Sequence, residues 1–471
     1  MSTLFRPPIV TIMGHVDHGK TTLLDKIRGS SVAAREAGGI TQHISAYQVD
    51  VTTKSGKSGK ITFIDTPGHA AFNQMRSRGA QITDIVVLVI SATDGVMAQT
   101  KESIKEIKKT NAPVIIAMTK VDMEQSSPEK VKGQLVELGL TPEEYGGQVA
   151  LFPVSGKTGQ GIDALLESIF LHAEIMELKD ESNSQLEAVV IESLLDKSRG
   201  PIATLIVKKG QIKLGDTIFA QNIPGKVKAM SIPVATPSSP VEILGFEQVP
   251  LVGTPVSNVK TDSTSTVDPT RLSQTKTDGS PRLPIVVKAD VQGTLEALLS
   301  SLTDDVFLLA SGVGAVTDND VNMAASAKAQ IFAYNVAIPR FIKNLADNEK
   351  VPIFESKIIY EILDDIQKQV LIMLDPTIEE TNVGEAKIIA EFKIDKVRIA
   401  GIEVTKGLLT KGDNIHLKRD DIIIKDTKIE GIRQAKDAVD VAKAGHQFGI
   451  TFRPYVDFKI NDVIIAYKVE K

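Results

Sequence analysis

The sequence predicts a multidomain protein of α/β and β parts. In order these are a parallel α/β domain, a small β-barrel, a mixed α/β segment, a long helix and a second barrel. Three observations carry this reading. The chain has 471 residues, too many for one core at roughly 150 residues per domain. Its first third alternates short aliphatic runs with helical patterns, the signature of a parallel sheet. Two later regions, both rich in short strands and Gly turns, share a sixteen-residue pattern at an offset of 197.

Taken in order, Ile9–Met13, Ile61–Ile64, Ile85–Ile90 and Val114–Met118 read as buried strands. Thr21–Ile27, Thr100–Lys109 and Pro128–Leu138 read as helices, and Gly161-Ile162-Asp163 opens another. The first domain is expected over 1–180. Residues 186–256 read as a barrel, with turns at Gly200-Pro201, Lys209-Gly210 and Leu214-Gly215-Asp216. Residues 257–280 hold eleven Ser or Thr, so 257–282 is expected to be a flexible linker. A mixed α/β segment follows over 283–353. A helix is predicted over 354–375, with Ile358, Ile359, Ile362, Leu363, Ile366, Val370 and Leu371 at helical spacing and Asp375-Pro376 as its stop. Its 22 residues would span roughly 33 Å. The second barrel is expected over 384–471. The repeat aligns Ala203, Val207, Lys209, Gly210, Gly215, Asp216 and Ile218 with Ala400, Val404, Lys406, Gly407, Gly412, Asp413 and Ile415.

Composition narrows the chemistry. Cys is absent, which excludes disulfides and thiolate metal sites. The longest apolar run, Ile85–Ile90, is far short of the ~20 residues of a membrane span. The N-terminus lacks the apolar stretch of a signal peptide. A cytoplasmic protein with no membrane attachment is expected.

Gly14-His15-Val16-Asp17-His18-Gly19-Lys20-Thr21 fits the phosphate-loop pattern, after a predicted strand and before a predicted helix. Its backbone amides and the helix N-terminus would wrap phosphates. Lys20 would reach the β- and γ-phosphates, and Thr21 would ligate Mg²⁺, with Thr22 next in the helix. Asp65-Thr66-Pro67-Gly68 follows the next strand: Asp65 would hold Mg²⁺ through water, and Gly68 would offer its N–H to the γ-phosphate. Thr119-Lys120-Val121-Asp122 follows a further strand, where Asp122 would accept from the two N–H groups of guanine. Ser155-Gly156-Lys157 would pack beside the base. Each motif is weak alone; four in this order, each after a strand, point to a GTPase.

Here a resemblance becomes specific. The phosphate loop with Asp65–His69 resembles the translational GTPases. Ile9–Asp25, Glu36–Ile44, His69-Ala70-Ala71-Phe72, Lys288–Ala297 and Ser311–Thr317 resemble bacterial translation initiation factor two more narrowly, across nearly the whole chain. The resemblance implies a P-loop GTPase domain, a β-barrel, an α/β/α sandwich, a long connecting helix and a C-terminal β-barrel. It implies GTP and Mg²⁺ as ligands. It also implies initiator tRNA and the small and large ribosomal subunits as partners, and a monomer that promotes subunit joining. Thr41 would close on Mg²⁺, and His69, gated by Val16 and Ile40, would position the attacking water. Arg433, Lys436, Gln447, Phe448 and Gly449 would receive the formylmethionyl end of initiator tRNA. About eight residues precede the first strand, so the extended N-terminal region common in that family is expected to be missing, and the lack of a targeting segment suits a bacterial source.

Three departures from the family pattern stand out. Thr119 stands where Asn is usual and can make only one of its hydrogen bonds. Gly156 replaces Ala. Ile402 and Phe448 occupy positions where the family's pocket has cysteines, and would keep it apolar. Residues 384–471 hold 17 Lys and Arg against 14 Asp and Glu, so +3 where the whole chain carries −5, a mild bias toward a phosphate-bearing partner. The alternatives are another translational GTPase, such as a specialised tRNA-delivery factor, and a GTP-gated scaffold that does not hydrolyse. The Lys288–Ala297 segment and the paired barrels argue against the first, and His69 against the second.

Overall fold

In the computed structural model the described residues are 5–30, 41–68, 70–110, 112–260, 282–374, 380–394, 397–419, 422–434, 437–453, 456 and 458–469. Ile40, His69, Lys436, most of the expected linker and the Asp375-Pro376 stop lie outside them. The chain divides into two units, Met1–Val370 and Leu371–Lys471.

The first unit opens with a six-stranded sheet. Its elements are β1 (Ile9–Gly14), α1 (Lys20–Arg28), β2 (Ser45–Thr52), β3 (Ser58–Asp65), α2 (Asn73–Ile82), β4 (Ile85–Ser91), α3 (Ala98–Ile107), β5 (Val114–Thr119), α4 (Pro128–Glu137), β6 (Ala150–Pro153) and α5 (Ile162–Ile175). The strand order is β2-β3-β1-β4-β5-β6. Every pairing is parallel except β2 with β3. Alternate residues of the central strands feed two cores. Val87, Val89, Ile115 and Ala117 pack with Leu23 of α1 and Leu165 and Ile169 of α5. Val86, Leu88, Ile90, Ile116 and Met118 pack with Ile104 of α3 and Val131 and Leu135 of α4. A sheet covered on both faces needs apolar side chains at both parities, hence the unbroken aliphatic runs. The sequence pattern leaves β2 unread because this edge strand has no unbroken aliphatic run: Tyr47, Val49 and Val51 face the core, while Gln48, Asp50 and Thr52 face away.

A closed barrel follows, in the order Thr217–Ala220, Ile223–Met230, Pro240–Phe246, Gly200–Lys209, Glu187–Asp196, Pro255–Ser257. Then comes a four-stranded, wholly parallel sheet, ordered Val306–Val313, Leu283–Ala289, Gln330–Tyr334, Ile353–Ser356. The last of these strands corrects the helix predicted over 354–375. Phe354, Glu355 and Ser356 pair with Phe332, Ala333 and Tyr334, and the helix begins at Ile359. It runs to Leu374, 16 residues or about 24 Å rather than 33 Å. Its buried face is Ile359, Ile362, Ile366 and Val370.

Ion pairs and buried hydrogen bonds tie these parts of the first unit together. Arg6 pairs with Asp84 and also donates to Ser238 of the barrel at 3.0 Å. Thr62 of β3 donates to the Ser238 carbonyl at 2.6 Å. Arg78 of α2 pairs with Glu296, in the helix Gln292–Ser300, at 2.5 Å. Glu192 of the barrel accepts from the amide of Gly293 at the start of that helix, at 3.1 Å. A Cβ on Gly293 would lie 2.6 Å from Met75 of α2 and 3.0 Å from Glu192, so three parts of the unit meet with no room for a side chain.

In the second unit Glu380–Ile394, Val463–Val469, Asn414–Arg419, Ile422–Gln434, Gln447–Arg453 and Val397–Thr410 pair in that order. Pairing of the first with the last closes the ring. The repeat is structural as well as sequential. Gly210 and Gly407 have φ of 71° and 66°, Gly215 and Gly412 of 88° and 93°. The Asp216 carboxylate accepts from the Lys213 amide at 2.7 Å, and Asp413 accepts from Thr410 at 2.7 Å. The same residues close the same turn in both barrels.

The junction makes a testable statement about pH. Burial pushes the Glu192 carboxyl up to about 7. A carboxyl raised in the folded state binds its proton more tightly there than in the unfolded chain. Stability should therefore fall as pH rises from the ordinary glutamate range toward 7. In Glu192→Gln this component disappears. Thermal melts at about pH 5 and about pH 8 should show wild type losing more stability across the interval than the variant, by on the order of 1–3 kcal/mol. Parallel losses in both chains would contradict it.

Candidate functional site

The site lies at the carboxyl ends of the parallel strands, where doubly wound sheets take their ligands. Strand register brings its parts together. Ile12 pairs with Asp65, Gly14 with Val89, Ser91 with Thr119, and Met118 with Pro153. The loops after β1, β3, β5 and β6 therefore leave the sheet at one edge.

The loop Gly14–Lys20 has the backbone its residues allow. Gly14 has φ of 147°, and a Cβ there would meet the Val89 carbonyl at 2.3 Å. Asp17 and Gly19 have φ of 61° and 84°, the left-handed region that favours Gly and, among others, Asp. Lys20, buried, donates to the carbonyls of Gly14 at 3.1 Å and His15 at 2.7 Å. Burial pushes its ammonium down to about 8. The Val16 amide donates to Gln99 of α3 at 3.1 Å. Burial lowers His15 and takes His18 down to about 4, so the His18 ring is neutral.

Gly68 closes on this loop. A Cβ at Gly68 would stand 2.4 Å from Lys20 Nζ, 2.9 Å from the Val16 amide and 3.1 Å from the Gly14 carbonyl. Thr66 donates to the Ile12 carbonyl at 2.8 Å, and Asp65 is buried at the end of β3. Fully buried Arg76 of α2 reaches Glu102 at 3.1 Å. The Thr21 and Thr41 hydroxyls are 2.7 Å apart. Thr22 follows Thr21 in α1, against Gly156.

Thr119 has a specific use. Its hydroxyl donates to the His18 carbonyl at 2.5 Å, tying the loop after β5 to the loop after β1. Lys120, with φ of 58°, pairs with Asp94 at 3.0 Å. Asp122 is exposed in the turn that follows. Ser155 is buried and accepts from the Thr158 amide at 3.1 Å. A Cβ on Gly156 would come within 3.1 Å of α1 backbone at Thr22 and Leu23, so the missing methyl leaves the two loops closely packed. Lys157 is exposed beside it.

Oxygen is the donor type that Mg²⁺ takes, and Thr21, Thr41 and Asp65 supply it here. The narrow cradle between Gly14, Val16 and Gly68, lined by backbone amides and Lys20, has the chemistry of a polyphosphate site. The residues present fit both groups.

In the C-terminal unit the expected pocket residues separate. Phe448 and Ile402 pair across strands and are both buried in the barrel core. They do not line an outward pocket, which corrects that reading: strand alternation turns them inward. The outward face at this register holds Gly401 and Gly449, paired with each other, and Arg433, paired with Gly449. Exposed Phe392 lies against Gly401, and Ile399 against Gly449. Gln447 is exposed at the strand start.

The chain matches three family models: Elongation factor Tu GTP binding domain over residues 6–175, Elongation factor G domain 2 over 185–259, and Translation-initiation factor 2 over 258–367. It is 42% identical to translation initiation factor IF-2 of Halothermothrix orenii, over 98% of this chain and 72% of that one. It is 42% identical to the same factor of Rhodopseudomonas palustris, over 99% and 57%, and 41% identical to that of Bacillus velezensis, over 99% and 69%. It thus spans little more than half the length of several of the relatives it matches. A solved structure, GDP-bound aIF5B from Aeropyrum pernix, is similar at 25% identity and a TM-score of 0.47, over 98% of this chain and 92% of that one. Among the described residues no helix is long and apolar enough to cross a membrane. With its phosphate loop, its paired barrels and a match to these factors along nearly all of its own length, the chain belongs to the translation initiation factor IF-2 family.

Proposed function

We propose that the chain is a GTPase of translation initiation, one that holds formylmethionyl initiator tRNA on the small ribosomal subunit and promotes joining of the large one. Hydrolysis of GTP then releases it. It works in the cytoplasm as a monomer. The observation that carries this reading is the closure of Gly68 onto Lys20 and Val16, the approach that a γ-phosphate sensor on a phosphate loop would need.

In this reading Gly14, His15, Val16, Asp17, His18 and Gly19 present loop backbone to the phosphates, and Lys20 exchanges its two carbonyl partners for β- and γ-phosphate oxygens. Anionic phosphate favours the charged form of the buried Lys20. Thr21, Thr41 and, through water, Asp65 hold the magnesium, which when bound neutralises charge on the β- and γ-phosphates. Gly68 donates its amide to the γ-phosphate. Asp122 accepts from guanine, while Lys120, Ser155, Gly156 and Lys157 flank the base. Thr119 acts through the loop: its bond to His18 stands in for one amide bond of the usual Asn. His69, one residue beyond Gly68, positions the attacking water.

On the C-terminal barrel the tRNA end meets the outward surface of Gly401, Gly449, Ile399 and Phe392. Gln447 and Arg433 stand beside it and Lys436 follows Arg433 by three residues. Exposed Phe392, which lies over Gly401, offers an apolar surface to a methionyl chain, and the cations meet the terminal nucleotides.

Two experiments test the two ends of the molecule. His69→Ala should bind GTP as wild type does and lose on the order of 10² in ribosome-stimulated turnover; turnover at the wild-type rate would remove the water-positioning role. The full chain should retain formylated initiator tRNA better than the unformylated form, because the free amine brings a charge to an apolar surface. Equal retention, read as protection of the aminoacyl ester from hydrolysis, would contradict the assignment.

A further inference from the structure

The four-stranded parallel sheet of the first unit has a crevice of its own. Its first strand in the chain, Leu283–Ala289, lies between the second, Val306–Val313, and the third, Gln330–Tyr334. The connections from it diverge, and open α/β sheets take ligands at the carboxyl ends of strands where this happens. Asp290 follows the first strand there. Tyr334 ends the third, and Asn335, with φ of 48°, donates to Asp290.

What fills this crevice is a piece of the same chain. Gln42 is 5% exposed. Its amide oxygen accepts from the Tyr334 hydroxyl at 2.8 Å and from the Ile359 amide at 3.2 Å. Its amide nitrogen donates to the Lys357 carbonyl at 3.1 Å. Both acceptor positions of the oxygen are thus used. His43 Nε2 is 3.4 Å from the Asp290 carboxylate. On the other side of Gln42, the Thr41 hydroxyl lies 2.7 Å from that of Thr21. Three consecutive residues therefore join the phosphate-loop helix to the crevice, and to the first turn of the helix Ile359–Leu374.

We propose that this crevice takes Thr41-Gln42-His43 as its ligand, and that Gln42 is a positioning residue whose docking sets Thr41 against Thr21 for magnesium-bound GTP. The inference rests on the guanine-nucleotide reading of the strand-end site. Its logic is linkage. Docking orders Thr41 before the nucleotide arrives, so GTP, which uses Thr41, gains affinity, while GDP, which does not, gains none. Binding of GTP must then stabilise the Gln42 contacts to the same degree. The nucleotide's γ-phosphate is thereby felt at the amide of Ile359, where the helix starts. A buried amide that served only to pack the two layers would contribute equally to both nucleotides.

The test uses the full chain, with magnesium and either GDP or a non-hydrolysable GTP analogue, in wild type, Gln42→Ala and Tyr334→Phe. Tyr334→Phe keeps the ring and removes one hydrogen bond, so it guards against loss of the fold. Affinity for the analogue should fall about fivefold in Tyr334→Phe, the worth of one hydrogen bond, and roughly tenfold or more in Gln42→Ala. GDP affinity should stay within about twofold of wild type, since GDP draws nothing from the linkage. In hydrogen exchange, the analogue should slow the Ile359 amide in wild type and not in Gln42→Ala. If both nucleotides bind wild type but the variants leave the GTP-to-GDP ratio unchanged, or the analogue leaves Ile359 exchange unchanged in wild type, this inference fails alone. If wild type binds neither nucleotide, the guanine-nucleotide reading fails and this inference falls with it.

Discussion

No side chain larger than hydrogen fits at position 68, and the active geometry of the first unit depends on that. The Gly68 backbone lies against Lys20 Nζ, the Val16 amide and the Gly14 carbonyl at distances a Cβ would violate. This contact holds the end of β3 against the end of β1, and the buried Asp65 lies close enough to Lys20 to favour its charge. Gly14 makes the matching approach to Val89 from the other side. Two bare backbones and one buried lysine thus define the cradle, and the conformational freedom of glycine is used where a close approach demands it.

From this cradle the structure extends outward through side chains. α2, which begins just beyond Gly68, carries Arg78 to Glu296 and Met75 to the Glu192–Gly293 junction. The segment after the phosphate-loop helix carries Gln42 to Tyr334 and Ile359. The two loops that would sense a γ-phosphate therefore both reach the same α/β part of the unit, one at the helix Gln292–Ser300 and the other at the end of the strand Gln330–Tyr334. Glu192 is a costly choice for such a joint, since burial raises its carboxyl to about 7.

Much of this was legible in the sequence because phosphate chemistry imposes spacing. Gly14–Thr21, Asp65–Gly68 and Thr119–Asp122 each follow an aliphatic strand, and the strand ends must converge in a parallel sheet. The repeat was legible for a similar reason: Gly210, Gly215 and Asp216 and their counterparts are dictated by a turn. Other features were hidden. The helical spacing of Ile358, Ile359 and Ile362 ran on into Phe354–Ser356, where pairing with Phe332–Tyr334 decides for strand. The edge strand Ser45–Thr52 alternates, with Tyr47, Val49 and Val51 toward the core and Gln48, Asp50 and Thr52 away from it, and so lacks the unbroken aliphatic run that marks its neighbours. Phe448 and Ile402 read as pocket lining because composition says nothing about which way a barrel strand turns. Gln42 meets Tyr334 across 292 residues, a contact no local pattern records.

The central claim is that these strand ends form a guanine-nucleotide site, and the exposed carboxylate of Asp122 offers its most direct test. A carboxylate accepts from two guanine N–H groups, whereas the amide of Asn offers one donor and one acceptor, which matches the edge of xanthine. Equilibrium titration of wild type and Asp122→Asn with GTP and XTP should show the preference for GTP in wild type moving toward XTP in the variant. A variant that keeps the wild-type ratio would show that Asp122 does not read the base, and the account of the site would fail.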